Sequence, residues 1–70
     1  MDTFGTRLRM ALANKDMSQS DLCRIADIDR GSMSHYVNDE FTPKLYKLLR
    51  ICKGLGVKPG ELLDGLEEDI

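Results

Sequence analysis

A chain of 70 residues is one small domain, residues 1–70, because folding at this length buries only about 60% of the unfolded surface and cannot divide the core in two. Hydrophobic residues at 41% and charged residues at 31% are ordinary globular composition, which excludes intrinsic disorder. The longest apolar run is four residues, Met10 to Ala13, against the roughly 18 a membrane helix needs, so no membrane contact and a cytoplasmic location are expected.

Phe4, Leu8, Ala11 and Leu12 recur at helical spacing and predict a first helix over about 4–14. Ser18-Gln-Ser-Asp21 fits a capping box, with Met17 and Leu22 placed as a hydrophobic staple, and opens a short second helix ending near Asp27. Asp29 is a second cap candidate, followed by Met33, Tyr36 and Val37 on one face of a third helix over roughly 30–37. Thr42-Pro43 predicts a fourth helix with proline at its first position; Leu45, Leu48, Leu49, Cys52 and Leu55 line its inner side, and Gly54 and Gly56 stop it. Lys58-Pro59 opens a fifth, with Glu61 in the first turn and Leu62, Leu63 and Leu66 facing inward. No segment alternates, so the fold class is all-α with five helices.

Charge is uneven along the chain. Residues 59–70 hold five acids and no base, whereas residues 1–58 hold all ten Lys and Arg against seven acids, a net +3. A mildly basic body with an acidic tail over about 64–70 is compatible with a polyanionic partner. The two cysteines, Cys23 and Cys52, are expected as reduced core residues. A single histidine and no Cys-x-x-Cys spacing leave no metal site, and no cofactor is expected. No nucleophile sits beside a base and no glycine-rich phosphate loop occurs, so an enzyme is not expected.

Helices two and three have the dimensions of a helix-turn-helix. Met17-Ser-Gln-x-x-Leu22-Cys23, Ile28-x-Arg30-x-Ser32-Met33-Ser34-x-Tyr36, Pro43-x-Leu45-x-x-Leu48-x-x-Ile51-Cys52-x-x-Leu55-Gly56-Val57 and Glu61-Leu62-Leu63, in this order, resemble the lambda-repressor-like (Cro/repressor, XRE) family. The resemblance covers the chain from Gly5-x-Arg7-Leu8-Arg9 to Leu63. It implies a compact five-helix domain that binds double-stranded DNA as a homodimer. The positions matching the family's base readers are Arg30, Gly31, Ser32 and His35 on helix three, with Gln19 at the start of helix two. Ser18, Ser34, Asn38, Thr42 and Lys44 are expected at phosphates. The residues support this independently: with Met33, Tyr36 and Val37 inward, helix three presents the others outward, and Arg30 can bond guanine O6 and N7 bidentately. The opposing reading of Arg30 is a surface arginine paired with Asp29.

Three departures from the family pattern stand out. Asp27 replaces the usual turn glycine, a substitution that aspartate's tolerance of the left-handed region allows. Asp39 and Glu40 put carboxylates into a loop that is often basic. Leu12 and Val37 are apolar where many members carry an arginine and a glutamate, a double replacement expected to be neutral or stabilising. The function expected is a small transcriptional repressor of the phage or mobile-element type, its seam on helix five with Leu66 and Ile70. A 70-residue chain leaves no room for a sensor domain, so no small-molecule ligand is expected. The rival reading is a protein-interaction module, an antitoxin or antirepressor retaining the fold.

Overall fold

The computed structural model describes residues 2–64, which form five helices: α1 (Phe4–Asn14), α2 (Gln19–Ala26), α3 (Arg30–Val37), α4 (Leu45–Leu55) and α5 (Pro59–Leu63). Among the described residues there is no strand. The first three helices start where their caps require. Thr3 Oγ1 accepts the Thr6 N–H, Ser18 Oγ accepts the Asp21 N–H, and Asp29 Oδ2 accepts the Ser32 N–H. Each satisfies a donor that has no partner inside its own helix. At Ser18 the capping box is complete, with the Asp21 carboxylate accepting the Ser18 N–H at 3.0 Å.

Every helix contributes to one core. Leu8 and Leu12 from α1, Leu22 and Cys23 from α2, Met33, Tyr36 and Val37 from α3, Leu48, Ile51 and Cys52 from α4, and Leu62 from α5 are all buried, joined by Ile28 from the α2–α3 turn. Leu12 and Val37 both lie in this cluster, which suits the loss of a charged pair at those positions. Cys23 and Cys52 are free and buried, and burial pushes both thiols above the ordinary range.

Helix α4 departs from expectation in two ways. It begins at Leu45 with Lys44 as an N-cap that makes no side-chain bond, so Thr42-Pro43 is not its cap and first residue. Lys44 is extended (φ −66°, ψ 159°), and the first α4 bond runs from the Leu48 N–H to the Lys44 carbonyl. Pro43 is therefore spent in the loop. Its core face is Leu48, Ile51, Cys52 and Leu55, while Leu45 is 70% and Leu49 48% exposed. The helix is rotated by its contact with α2. A Cβ on Gly54 would stand 3.0 Å from Leu22 Cδ1 and 3.2 Å from Ile25 Cγ2, so the missing side chain lets α2 close onto this edge and swings Leu45 and Leu49 outward. Gly54 lies inside the helix; Gly56, in the left-handed region at φ 71°, ends it.

Helix α5 is one short turn with Pro59 first; Leu62 is buried and Leu63 partly so. Leu66 and Ile70, expected at a dimer seam, and residues 65–70 of the acidic tail lie outside the described residues; Asp64, the first of that tail, ends α5 and is exposed.

Candidate nucleic-acid interface

Helix α2 ends at Asp27, which takes φ 56° and ψ 54° and donates its N–H to the Cys23 carbonyl. The Ile28 N–H bonds the same carbonyl at 3.0 Å. Ile28 then dives into the core and Asp29 caps α3, so the two helices are joined by three residues of fixed backbone. An aspartate serves here in place of glycine because its short polar side chain tolerates the left-handed conformation.

The turn is braced from outside by a residue that sequence reasoning missed. The Arg50 guanidinium of α4 donates to the Asp27 carbonyl at 2.6 Å and lies 5.6 Å from the Tyr46 ring centre. A left-handed C-terminal residue leaves carbonyls without helical partners, which is the signal that an external donor is required.

At the start of α3, the Asp29 carboxylate accepts both the N–H and the hydroxyl of Ser32, at 2.9 and 2.8 Å. Chiefly the Ser32 N–H, with a minor contribution from the charge of Lys47, holds this carboxyl below its ordinary range. Asp29 is thus occupied by Ser32. Arg30 is exposed and makes no ion pair or hydrogen bond with any described residue, so the alternative of an Arg30–Asp29 pair does not occur. Gly31 and Ser34 are exposed beside it, Ser32 is half-buried, and Gln19 stands exposed at the first position of α2.

His35 is turned toward the following loop. Its ring packs on Phe41 with centroids 4.5 Å apart, and Nδ1 lies 3.4 Å from a Glu40 carboxylate oxygen without hydrogen-bond geometry. The loop is pinned in turn, since the Glu40 N–H donates to the His35 carbonyl at 2.9 Å. Ser34 and Asn38 come together, the Asn38 amide donating to Ser34 Oγ at 3.4 Å. Ser18, Thr42 and Lys44 are exposed at the N-terminal ends of α2 and α4.

The Asp39 carboxylate is turned to the start of α1. One carboxylate oxygen accepts the Gly5 N–H at 2.8 Å and the other accepts the Thr3 hydroxyl at 2.6 Å, which caps α1. Its charge therefore sits at the positive end of that helix, where it is stabilised. No three His, Cys, Asp or Glu among the described residues converge to hold a metal ion, and no described helix is long and apolar enough to cross a membrane.

The arrangement is a short helix, a fixed turn and a second helix whose first turn is open to solvent. A family model described as the Cro/C1-type helix-turn-helix DNA-binding domain matches residues 7–65. The chain belongs to that family. The fold of this Cro/C1-type domain is also that of a solved structure, the restriction-modification controller protein C.AhdI from Aeromonas hydrophila. The two share 29% identity over 84% of this chain and 89% of that one, with a TM-score of 0.80. Among curated proteins nothing matches. Membership makes this Cro/C1-type domain a DNA-binding transcription regulator, and α2, the Asp27 turn and α3 are its helix-turn-helix.

Proposed function

We propose that the chain is a sequence-specific repressor that binds a palindromic operator as a homodimer, a small controller of the phage or mobile-element type or of the kind its structural neighbour's name describes. The observation that carries this reading is the state of Arg30: exposed at the first turn of α3 and unengaged among the described residues, its fork is free for a guanine edge. Gln19 lies at the start of the preceding helix, where it reaches a base or buttresses a reader. Gly31 adjoins Arg30 on the same turn, and Ser32 and His35, whose side chains are engaged by Asp29 and Phe41, reach a base only by leaving those partners. Ser18, Ser34, Asn38, Thr42 and Lys44 supply phosphate contacts around the reading surface, since hydroxyl, amide and ammonium donors suit phosphate oxygens.

Selection of sites from random duplexes, followed by binding measured against salt, tests the proposal. A repressor dimer yields a two-fold sequence with half-sites about 34 Å apart. With about six phosphate contacts its affinity falls with a log-log slope near −5. No enrichment and a flat salt response would instead identify a protein-interaction module.

A further inference from the structure

Asp29 caps α3 with two hydrogen bonds and has acceptor capacity to spare. Oδ2 accepts the Ser32 N–H at 2.9 Å and Oδ1 the Ser32 hydroxyl at 2.8 Å. An ionised carboxylate offers about four lone-pair sites, so each oxygen keeps one open. The residue is exposed and forms no ion pair with any described residue, and chiefly the Ser32 N–H keeps its carboxyl in the charged form. Gly31 leaves Oδ2 uncovered, because a Cβ there would stand 3.3 Å from it and any longer side chain would lie against that oxygen. An anion aimed by the first turn of α3 thus stands open beside Arg30.

We propose that Asp29 is a base reader as well as a cap: in the major groove its open oxygen accepts from the exocyclic amine of a cytosine, in the base pair next to the guanine that Arg30 takes. The inference rests on the reading of α3 as the helix that enters the groove, and gives its first turn a second reader of opposite sign. Ser32, which stays on the carboxylate, positions that reader.

The chemistry of the groove edge sets the choice. Cytosine presents the N4 donor, guanine the N7 and O6 acceptors, thymine the O4 acceptor, and adenine a donor beside an acceptor. A carboxylate has no proton to give, so guanine and thymine repel it, adenine suits it in part and cytosine suits it best. Arg30, with donors alone, has the reverse preference. Consecutive Cα atoms lie about 3.8 Å apart and stacked bases about 3.4 Å. The Arg30 fork fills the edge of its own pair, so Asp29 meets the neighbouring one. A fixed anion between two phosphate chains weakens binding to every duplex, and a duplex that offers the amine recovers part of that loss. Asp29 therefore discriminates by rejection. Serine or asparagine would cap the helix equally well, but neither carries the charge on which that rejection depends.

Sites selected from random duplexes with the parent, Arg30→Ala, Asp29→Asn and Asp29→Ser test the assignment. Affinity is then measured at fixed low salt on the parent's selected duplex, on single-pair replacements of it and on an unrelated duplex, with helix content followed by circular dichroism. The parent should select a cytosine beside the position that Arg30→Ala relaxes, and bind it about tenfold more tightly than thymine in its place. Asp29→Asn should turn that cytosine to adenine, whose N6 and N7 an amide takes together, and Asp29→Ser should leave the position without preference. Both variants should keep the parent's helix content and bind the unrelated duplex more tightly than the parent, because an anion has been removed. A cap alone does not produce this pattern, since its loss weakens binding to all sequences alike. A selected site with no cytosine at that position, an unchanged preference there in both variants, or a uniform loss on every duplex overturns the inference and leaves the Arg30 reading standing. A parent that enriches no sequence at all removes the sequence-specific reading itself, and the inference with it.

Discussion

Arg50 and Asp27 are 23 residues apart in the chain, and the 2.6 Å bond from the Arg50 guanidinium to the Asp27 carbonyl joins α4 to the turn of the helix-turn-helix. The same arginine lies beside Tyr46, so its planar group is held from two sides. This bond and the close approach of α2 over Gly54 add to the shared core of Leu22, Cys23 and Ala26 with Leu48, Ile51 and Cys52 in holding α2 against α4.

Arg50→Ala should cost about 1 kcal/mol in urea unfolding, the typical worth of one partly exposed charge-assisted bond. It should also speed amide exchange at Ile28 and weaken DNA binding by more than the stability loss alone predicts. Arg50→Lys, with a point charge in place of the fork, should fall between. An Arg50→Ala protein with unaltered exchange at the turn would show that Asp27 needs no outside donor.

The N-terminus of α1 is built against the end of α3. A Cβ on Gly5 would lie 2.5 Å from the Val37 carbonyl oxygen, so Gly5→Ala should destabilise by about 1 to 3 kcal/mol through forced separation of the two helices. Asp39→Ala should cost about 1 kcal/mol by stripping the Gly5 and Thr3 donors of their acceptor. Because the two sites touch, the double variant should lose less than the sum. Thermal or urea unfolding of the three variants reads this directly.

Two caps make stability depend on acid. The Ser18 N–H holds the Asp21 carboxyl, and the Ser32 N–H the Asp29 carboxyl, below the ordinary value of 3.8. A folded-state value below the unfolded one gives stabilisation that is complete above about pH 4 to 5 and lost as pH falls through the folded-state values. Asp29→Asn keeps a side chain of equal capping strength but removes the titration. Its melting temperature should match the parent's near neutrality and fall less steeply below pH 4. Parallel curves would assign the acid response to other carboxylates.

Arg30→Ala should cost about 1 to 3 kcal/mol of specific affinity and relax one base position in each half-site, with unfolding unchanged. Gln19→Ala should act in the same direction and more weakly. A selection assay on both variants checks the assignment, and an unaltered base preference for Arg30→Ala would remove it from the reading set.

The sequence by itself determined what local chemistry decides. Ser18, Asp29 and Pro59 announce helix starts because a side-chain acceptor or a locked φ acts within four residues, and all three stand where expected. The inward faces of α1, α2 and α3 follow from spacing, because Met10 on α1 and Ile25 on α2 are the large apolar residues that fall off them and both stay exposed. Helix α4 was less legible because Leu45, Leu48, Leu49, Ile51, Cys52 and Leu55 leave too wide an apolar arc for spacing to choose its core. Close approach of α2 over Gly54 made that choice and exposed Leu45 and Leu49.

The tertiary structure alone decided the roles of Asp39, Arg50 and His35. Each is fixed by a partner whose position depends on the packed helices: the start of α1, the end of α2 and the ring of Phe41. Asp16, Asp27 and Asp39 all take left-handed backbone, at φ 53°, 56° and 59°, just beyond the ends of α1, α2 and α3. Aspartate permits that conformation without requiring it, so sequence can mark such a residue as a possible turn. Whether its carboxylate meets solvent, a helix end or a phosphate is settled only when the chain has closed.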